Sequence, residues 1–458
     1  MNFTAVLPIL SLIAGIVVSL LLGIPLALGI VFAILVTLVN VKKRGYGWKQ
    51  QFAFGWSGVR QTKPVLIILL LVGILIPLLM MGGTIPAIIY YGLSAVNVDF
   101  LVVISFLLSA AVSYVLGTSV GTLSTVGLSL MGIAHAAAIS PAMIAGALIS
   151  GAMVGERFSL ISSSRLLILA QVGVTEEQER IMRKPALWTA GLCAMLFLVL
   201  DLFRTDAESG STIPMYQELL LAYFPVGVVP LLPIIVLIAS FAFRTKAVKA
   251  LLAGVVTAAF LVVLNGPIDV ARFLATVWNG YELNSGTRLD ELVHGGGLAS
   301  IASVLLLIVL AGFLTGILKE ANLLTPLVER MLGQTRSSVV LVAKSVALSL
   351  LVVIVSCNQT IPILVMGSTL IRRFSRLPKG KELLGRTMLD STLVMPVLIP
   401  WNGLAMVFAV SLGVSTLASL PFVLYALLLP LVTIFSSRRF LSGDGYENKA
   451  IDSEQEVV

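Results

Sequence analysis

A chain of 458 residues that is 58% hydrophobic and 11% charged, with a mean hydropathy of +1.05, is not a water-soluble globule; soluble domains carry about 25% charged residues. Its net charge of +8 would point to an acidic partner in a soluble protein, but in a membrane protein it reflects the Lys and Arg that fix orientation. Soluble enzymes, nucleic-acid partners and disulfide scaffolds are excluded, and Cys193 and Cys357, each in an apolar stretch, make neither a disulfide framework nor a metal site.

Apolar runs bounded by charge, Gly or Pro predict an all-α polytopic membrane protein of about 12–14 transmembrane segments. At ~1.5 Å rise per residue, runs of ~17 residues or more cross a ~30 Å hydrocarbon layer. The first two segments, 3–22 and 24–40, follow each other directly and lack a basic leader, so the N-terminus reads as a retained span. With the basic loop 41–63 they make an N-terminal unit, 1–63. Segments 64–81, 99–116, 122–138, 140–171 and 187–203 form a first half, 64–203. A connector, 204–297, holds 226–243 and 248–265. Segments 298–318, 337–356, 358–371, 388–415 and 420–436 form a second half, 298–436, and 437–458 is a tail.

Loops on alternate sides of these segments hold 24 and 3 Lys and Arg residues. The basic side, comprising 41–63, 172–186, 244–249, 319–336, 371–386 and the tail, is expected to be cytoplasmic, with both termini. The halves 64–203 and 298–436 share one order of segments but start on opposite sides, which is the pattern of an inverted-topology repeat and of alternating-access transporters. Each half carries a polar break, GTSVGT at 117–122 and SCNQT at 356–360, and a later acid, Glu156 or Asp390.

A continuous helix over 140–171 would be ~48 Å long, so it is expected to break or re-enter, most obviously at GERFSLISSS, 155–164. Read as a helix, this stretch places Glu156, Ser159 and Ser163 on one face, an oxygen-rich set suited to Na⁺. Asp390, Ser391 and Thr392 repeat that chemistry; Pro396 and Pro400 free backbone carbonyls, and Asn402 adds an amide. Thr118, Ser119, Thr122, Asn358, Gln359 and Thr360 come to a similar depth. Against each ligand stands a structural role: Glu156 paired with an Arg, Asp390 paired with Arg386 four residues earlier, hydroxyls bonded to their own helices. His135 reads as a packing residue, and GTSVG lacks the sheet and His–Asp pair that a nucleophile would need.

The strings GTSVGTLSTVGLSLMGIA, AGALISGAMVGERFSLISSS and GRTMLDSTLVMPVLIPWNG, with GIPLAL and GGTIPAIIYYGL, resemble the NhaC-type Na⁺/H⁺ antiporter family of bacteria. The resemblance covers most of the chain and implies a transporter, not an enzyme, that exchanges Na⁺ for H⁺ across the cytoplasmic membrane without a cofactor. Ser159, Ser162 and Asp390 match its motifs and Glu156 carries over with Glu in place of the family's usual Asp; Arg157, Leu160, Ser163 and Leu389 replace the usual Lys, Pro, second Asp and Glu. The family also contains malate/lactate exchangers and amino-acid carriers, so a Na⁺- or H⁺-coupled carrier of an organic solute, with Arg157 facing an anionic group, stays open beside Na⁺ (Li⁺)/H⁺ exchange. Membrane lipid and the transported ions are the expected partners, and a homodimer is compatible with the sequence.

Overall fold

In a bilayer an apolar run has only its own backbone with which to satisfy its N–H and C=O groups, and each of the fourteen expected segments is accordingly occupied by helix. The computed structural model describes residues 3–204, 209–266, 269–323, 331–333, 337–377 and 379–442. The principal helices are α1 (Phe3–Leu22), α2 (Leu26–Lys43), α3 (Trp48–Met81), α4 (Thr84–Ala95), α5 (Leu101–Leu116), α6 (Leu128–Ala136) and α7 (Pro141–Phe158). There follow α8 (Ser163–Val172), α9 (Glu176–Ile181), α10 (Lys184–Leu202), α11 (Ser209–Tyr223), α12 (Leu232–Ala242), α13 (Ala247–Leu264) and α14 (Val270–Asn279). The second half contributes α15 (Leu298–Glu320), α16 (Ser338–Val355), α17 (Thr360–Phe374), α18 (Gly380–Asp390), α19 (Gly403–Leu412) and α20 (Leu424–Ser442). Sheet among the described residues is confined to β1 (Tyr281–Glu282) paired antiparallel with β2 (His294–Gly295) in the connector.

The protein is an all-α polytopic membrane protein. Among the described residues eight helices are long and apolar enough to span a bilayer, or eleven when each of three bent pairs counts as one span. The bends lie between α7 and α8 (46°), between α18 with its following turn and α19 (55°), and between the Thr416–Phe422 turn and α20 (52°). The overlong 140–171 segment is thus broken within 155–164, as its length requires.

Several stretches read as loops are helical. Helix α3 begins at Trp48, inside the expected 41–63 loop, and runs 34 residues through Arg60, Lys63 and Pro64. Packing extends it: a Cβ on Gly58 would fall 2.1 Å from the Gly312 carbonyl oxygen, so α3 and α15 touch backbone to backbone along small residues. Helix α18 starts at Gly380 inside the expected 371–386 loop, where Lys381, Glu382 and Arg386 mask it from a hydropathy scan. Helix α4 fills most of the 82–98 connector, and α20 continues past 437 to Ser442. Met1 and the tail from 443 to 458 lie outside the described residues.

Helix pairs recur between the halves: α5 packs on α10 as α16 packs on α20, and α8 packs on α17 as α19 packs on the turn before α6. The contact of α5 against α7 is another small-residue seam. A Cβ on Gly151 would sit 2.1 Å from Phe106 O, and the Ser109 and Ser113 hydroxyls donate across the seam to Leu148 O and Ala152 O at 2.7 Å.

Candidate ion-binding site

The first break forms because Gly117 ends α5 in the left-handed conformation (φ 70°), and extended Thr118 then caps a new turn, Ser119–Thr122. The Thr118 hydroxyl accepts from Gly121 N at 3.4 Å, and its carbonyl accepts from the Thr122 hydroxyl at 2.9 Å. The turn runs through a π-helical segment, Leu123–Gly127, into α6. Its N-terminus faces α7: Ser119 N donates to Glu156 Oε2 at 3.3 Å, and the Ser119 hydroxyl donates to the same oxygen. A carboxylate at such a terminus is favoured by the unpaired N–H groups and the helix dipole.

Glu156 is buried on the last turn of α7. Helix ends at Phe158, and Ser159 turns extended (ψ 129°), so the single helical face expected for Glu156, Ser159 and Ser163 does not exist. Serine hydroxyls compete for backbone groups, which is why this run breaks the helix. The Ser159 hydroxyl accepts from Ile161 N, the Ser162 hydroxyl caps α8 by accepting from Arg165 N at 3.2 Å, and Ser163 is exposed. Ser164, past the bend, lies beside Glu156 and donates its hydroxyl to Gln359 Oε1 at 2.8 Å.

Gln359 brings in the second half. Its Nε2 donates to Leu393 O at 2.9 Å, which fixes the amide with Oε1 toward Ser164. Around it, Asn358 Oδ1 accepts from Ile361 N in the first turn of α17 at 2.9 Å. Asn402 caps α19 and donates to Ser356 O at 3.0 Å, while Gly403 N donates to Cys357 O at 2.8 Å. The second break is thereby stitched to the turn after Pro396 and Pro400.

Asp390 has different company. Its Oδ1 accepts from Arg157 Nε at 2.8 Å; its Oδ2 accepts from the Thr433 hydroxyl at 2.8 Å and from Arg386 Nε at 3.4 Å. Ser391 donates to Thr387 O at 2.6 Å and to Ser349, and Thr392 pairs with Ser349 at 2.8 Å. Arg157 turns away from Glu156 and donates through Nη1 to Glu179 at 2.5 Å. Arg165 (2.9 Å) and Arg183 (2.6 Å) reach the same carboxylate. Burial alone would raise the Glu179 pKa, but the Arg157, Arg165 and Arg183 guanidiniums outweigh it and hold the carboxyl below the ordinary Glu value. That stabilisation is complete above the ordinary value and is lost as pH falls through the lowered one.

A model of the Na⁺/H⁺ antiporter family matches residues 180–436, more than half of the chain. The chain belongs to the Na⁺/H⁺ antiporter family. It is 30% identical over 413 residues to the Na⁺/H⁺ antiporter NhaC of Alkalihalophilus pseudofirmus, a match that covers 88% of each protein. It is 26% identical to NhaC of Bacillus subtilis, covering 85% of this chain and 87% of the relative. It is also 23% identical to the malate-2H⁺/Na⁺-lactate antiporter of Bacillus subtilis, over 88% of this chain and 86% of that one.

Within this antiporter, four acids are buried among the described residues: Glu156, Glu179, Asp201 and Asp390. Asp201 accepts from Val102 N and Val103 N and pairs with Arg204 at 3.3 Å. Glu179 and Asp390 each face guanidiniums, whereas the ion pairs among the described residues do not include Glu156. Ser164 and Glu179 were not singled out as site residues by the sequence. Glu179 carried no signal at all, sitting in an ordinary-looking acidic run, EEQE, between two segments.

Proposed function

We propose that the protein exchanges Na⁺, and Li⁺, for H⁺ by alternating access, with Glu156 as the group that carries either cation. The observation behind this reading is that Glu156 is buried beside hydroxyls and a helix N-terminus with no guanidinium paired to it among the described residues. A bare buried carboxylate is costly, and either a proton or a small hard cation removes that cost. The two cannot occupy it together, so loading one displaces the other. The Ser119 and Ser164 hydroxyls and Gln359 Oε1 replace part of a Na⁺ hydration shell, the first from the helix break and the last from the other half. The inverted repeat supplies the rocking unit in this reading, and the relation between the two halves' helix pairs supports it.

A carrier of organic anions is less well supported here, because Arg157, the cation nearest Glu156 in sequence, already holds Asp390 and Glu179. Dissipation of an acid-inside pH gradient in everted vesicles on adding Na⁺ or Li⁺, but not K⁺, malate, lactate or amino acids, is the expected result. A response to an organic solute in the absence of Na⁺ would overturn the reading. The basic asymmetry further places both termini on the cytoplasmic side of the bacterial cell membrane in this proposal. Single cysteines placed in 209–225 should react with an impermeant reagent in intact cells, and protection there would invert the topology.

A further inference from the structure

Helix α14 lies in the connector between two spans, α13 and α15. Its ten residues reach only ~15 Å, half the hydrocarbon thickness, so it cannot cross the membrane. Asp269 starts it by accepting from Ala271 N at 2.9 Å, and Gly280 ends it with φ 106°. At about 100° per residue its side chains fall into three adjoining sectors. Buried Thr276 and half-buried Phe273 and Val277 mark the side on which it packs against α3 and α15. Next to them Val270, Leu274 and Trp278, at intervals of four, form a stripe roughly 80° wide, and they are 64%, 60% and 61% exposed. Past two exposed alanines, Asn279 and Arg272 complete the circle with a polar, exposed side.

The depth of the helix decides what the stripe meets. A Cβ on Gly280 would sit 2.8 Å from Gly296 O, and one on Gly296 would sit 2.5 Å from Pro77 Cδ, while Gly297 N donates to Gly73 O at 3.0 Å. Gly73 and Pro77 lie roughly 12 and 6 Å along α3 before its end at Met81. The C-terminal end of α14 is thus held beside the apolar last turns of a span and not beyond them in water. Val263 and Leu264, which end α13, are exposed as well, so the lipid-facing surface of that span runs up to the start of α14 in the chain.

We propose that α14 is an interfacial helix lying in the leaflet away from the basic loops, with Val270, Leu274 and Trp278 set among lipid chains just below the headgroups. Arg272 and Asn279 face water, and Trp278 takes the boundary position at which an aromatic ring keeps its apolar body in lipid. The sectors follow the three surroundings of such a helix in order: protein, lipid, water.

Spin labels on single cysteines test this in liposomes of phosphatidylethanolamine and phosphatidylglycerol, with collision rates read against oxygen, which concentrates in lipid, and against a neutral nickel chelate present in water on both sides. The two native cysteines are buried, and unmodified protein supplies the labelling blank. Labels at Val270→Cys, Leu274→Cys and Trp278→Cys are expected to collide several-fold more with oxygen and less with nickel than labels at Arg272→Cys and Asn279→Cys. Nickel reaching 274 and 278 as freely as 272 would put the stripe in water. Few collisions with either reagent would put it against protein, a second copy of this chain or another. Each result overturns the proposal. Should the cysteine variants not fold, the fluorescence lost in Trp278→Phe isolates the Trp278 signal. That signal is expected to be quenched by lipids brominated near the headgroup end of the chain and to be shielded from aqueous iodide, and the reverse pattern would equally overturn the assignment.

Discussion

Glu156→Gln abolishes Na⁺-driven proton exchange in both directions while the protein still reaches the membrane. Gln has nearly the shape of Glu, and its carbonyl oxygen can accept from Ser119 N and the Ser119 hydroxyl as the carboxylate does. No arginine loses a partner, because the ion pairs among the described residues do not include Glu156. The packing cost is therefore small, and what disappears is the titrating proton together with the anionic ligand. Glu156→Asp keeps both but shortens the arm, so transport should persist with a raised apparent KM for Na⁺. His135→Gln, at an exposed position at the end of α6, should leave transport substantially intact. Proton flux measured with purified Glu156→Gln protein in liposomes checks this, and a near-normal Na⁺-dependent rate would refute the assignment.

What the sequence reveals of this fold follows from what its physics writes locally. Hydropathy marks every span, because a lipid-exposed helix must be apolar along most of its length, and the excess length of 140–171 announces a break. It does not mark α18, whose first two turns carry Lys381, Glu382 and Arg386, since a helix buried against protein tolerates charge when the charge is paired. Nor does it mark the lower part of α3, which is held by Gly58 against α15, a contact that depends on a partner more than two hundred residues away. The site shows the same division. Glu156 and Asp390 stand out in sequence alike, as acids in apolar runs, and only the fold separates them: one meets hydroxyls, the other two guanidiniums. The helical spacing that joins Glu156 to Ser159 and Ser163 fails because those serines end the helix, and Ser164, past the bend, lies beside the carboxylate instead. Glu179 is invisible in sequence because its importance comes from three arginines, two of them inside or beside the α7–α8 bend, folding onto one carboxylate.

Asp390→Asn should therefore fail by a different route, losing folded protein before it loses affinity for Na⁺. Asp390 is fully buried and is the acid that Arg386 meets among the described residues, while Arg157 divides its guanidinium between Asp390 and Glu179. Asn removes the charge and turns either an amide N–H₂ or a weak neutral oxygen toward those donors. Stranding one partner of a buried ion pair costs about 3–5 kcal/mol, a large part of the stability of most domains. The expected result is a sharply lowered yield and melting temperature in detergent, with an apparent KM for Na⁺ within about threefold of normal in the fraction that folds, since a ~0.6 kcal/mol change is all that a remote adjustment should impose. Removing the stranded charge as well, in Asp390→Asn with Arg386→Gln, should recover part of the lost stability, because the two substitutions share one interaction and do not add. If Asp390 instead binds the transported ion, the same variant would melt normally and its KM would rise tenfold or more, about 1.4 kcal/mol of lost binding. The two measurements, melting temperature and KM, move in opposite combinations under the two roles, so a single purified variant distinguishes an ion ligand from the counter-charge that joins α7, α9 and α18.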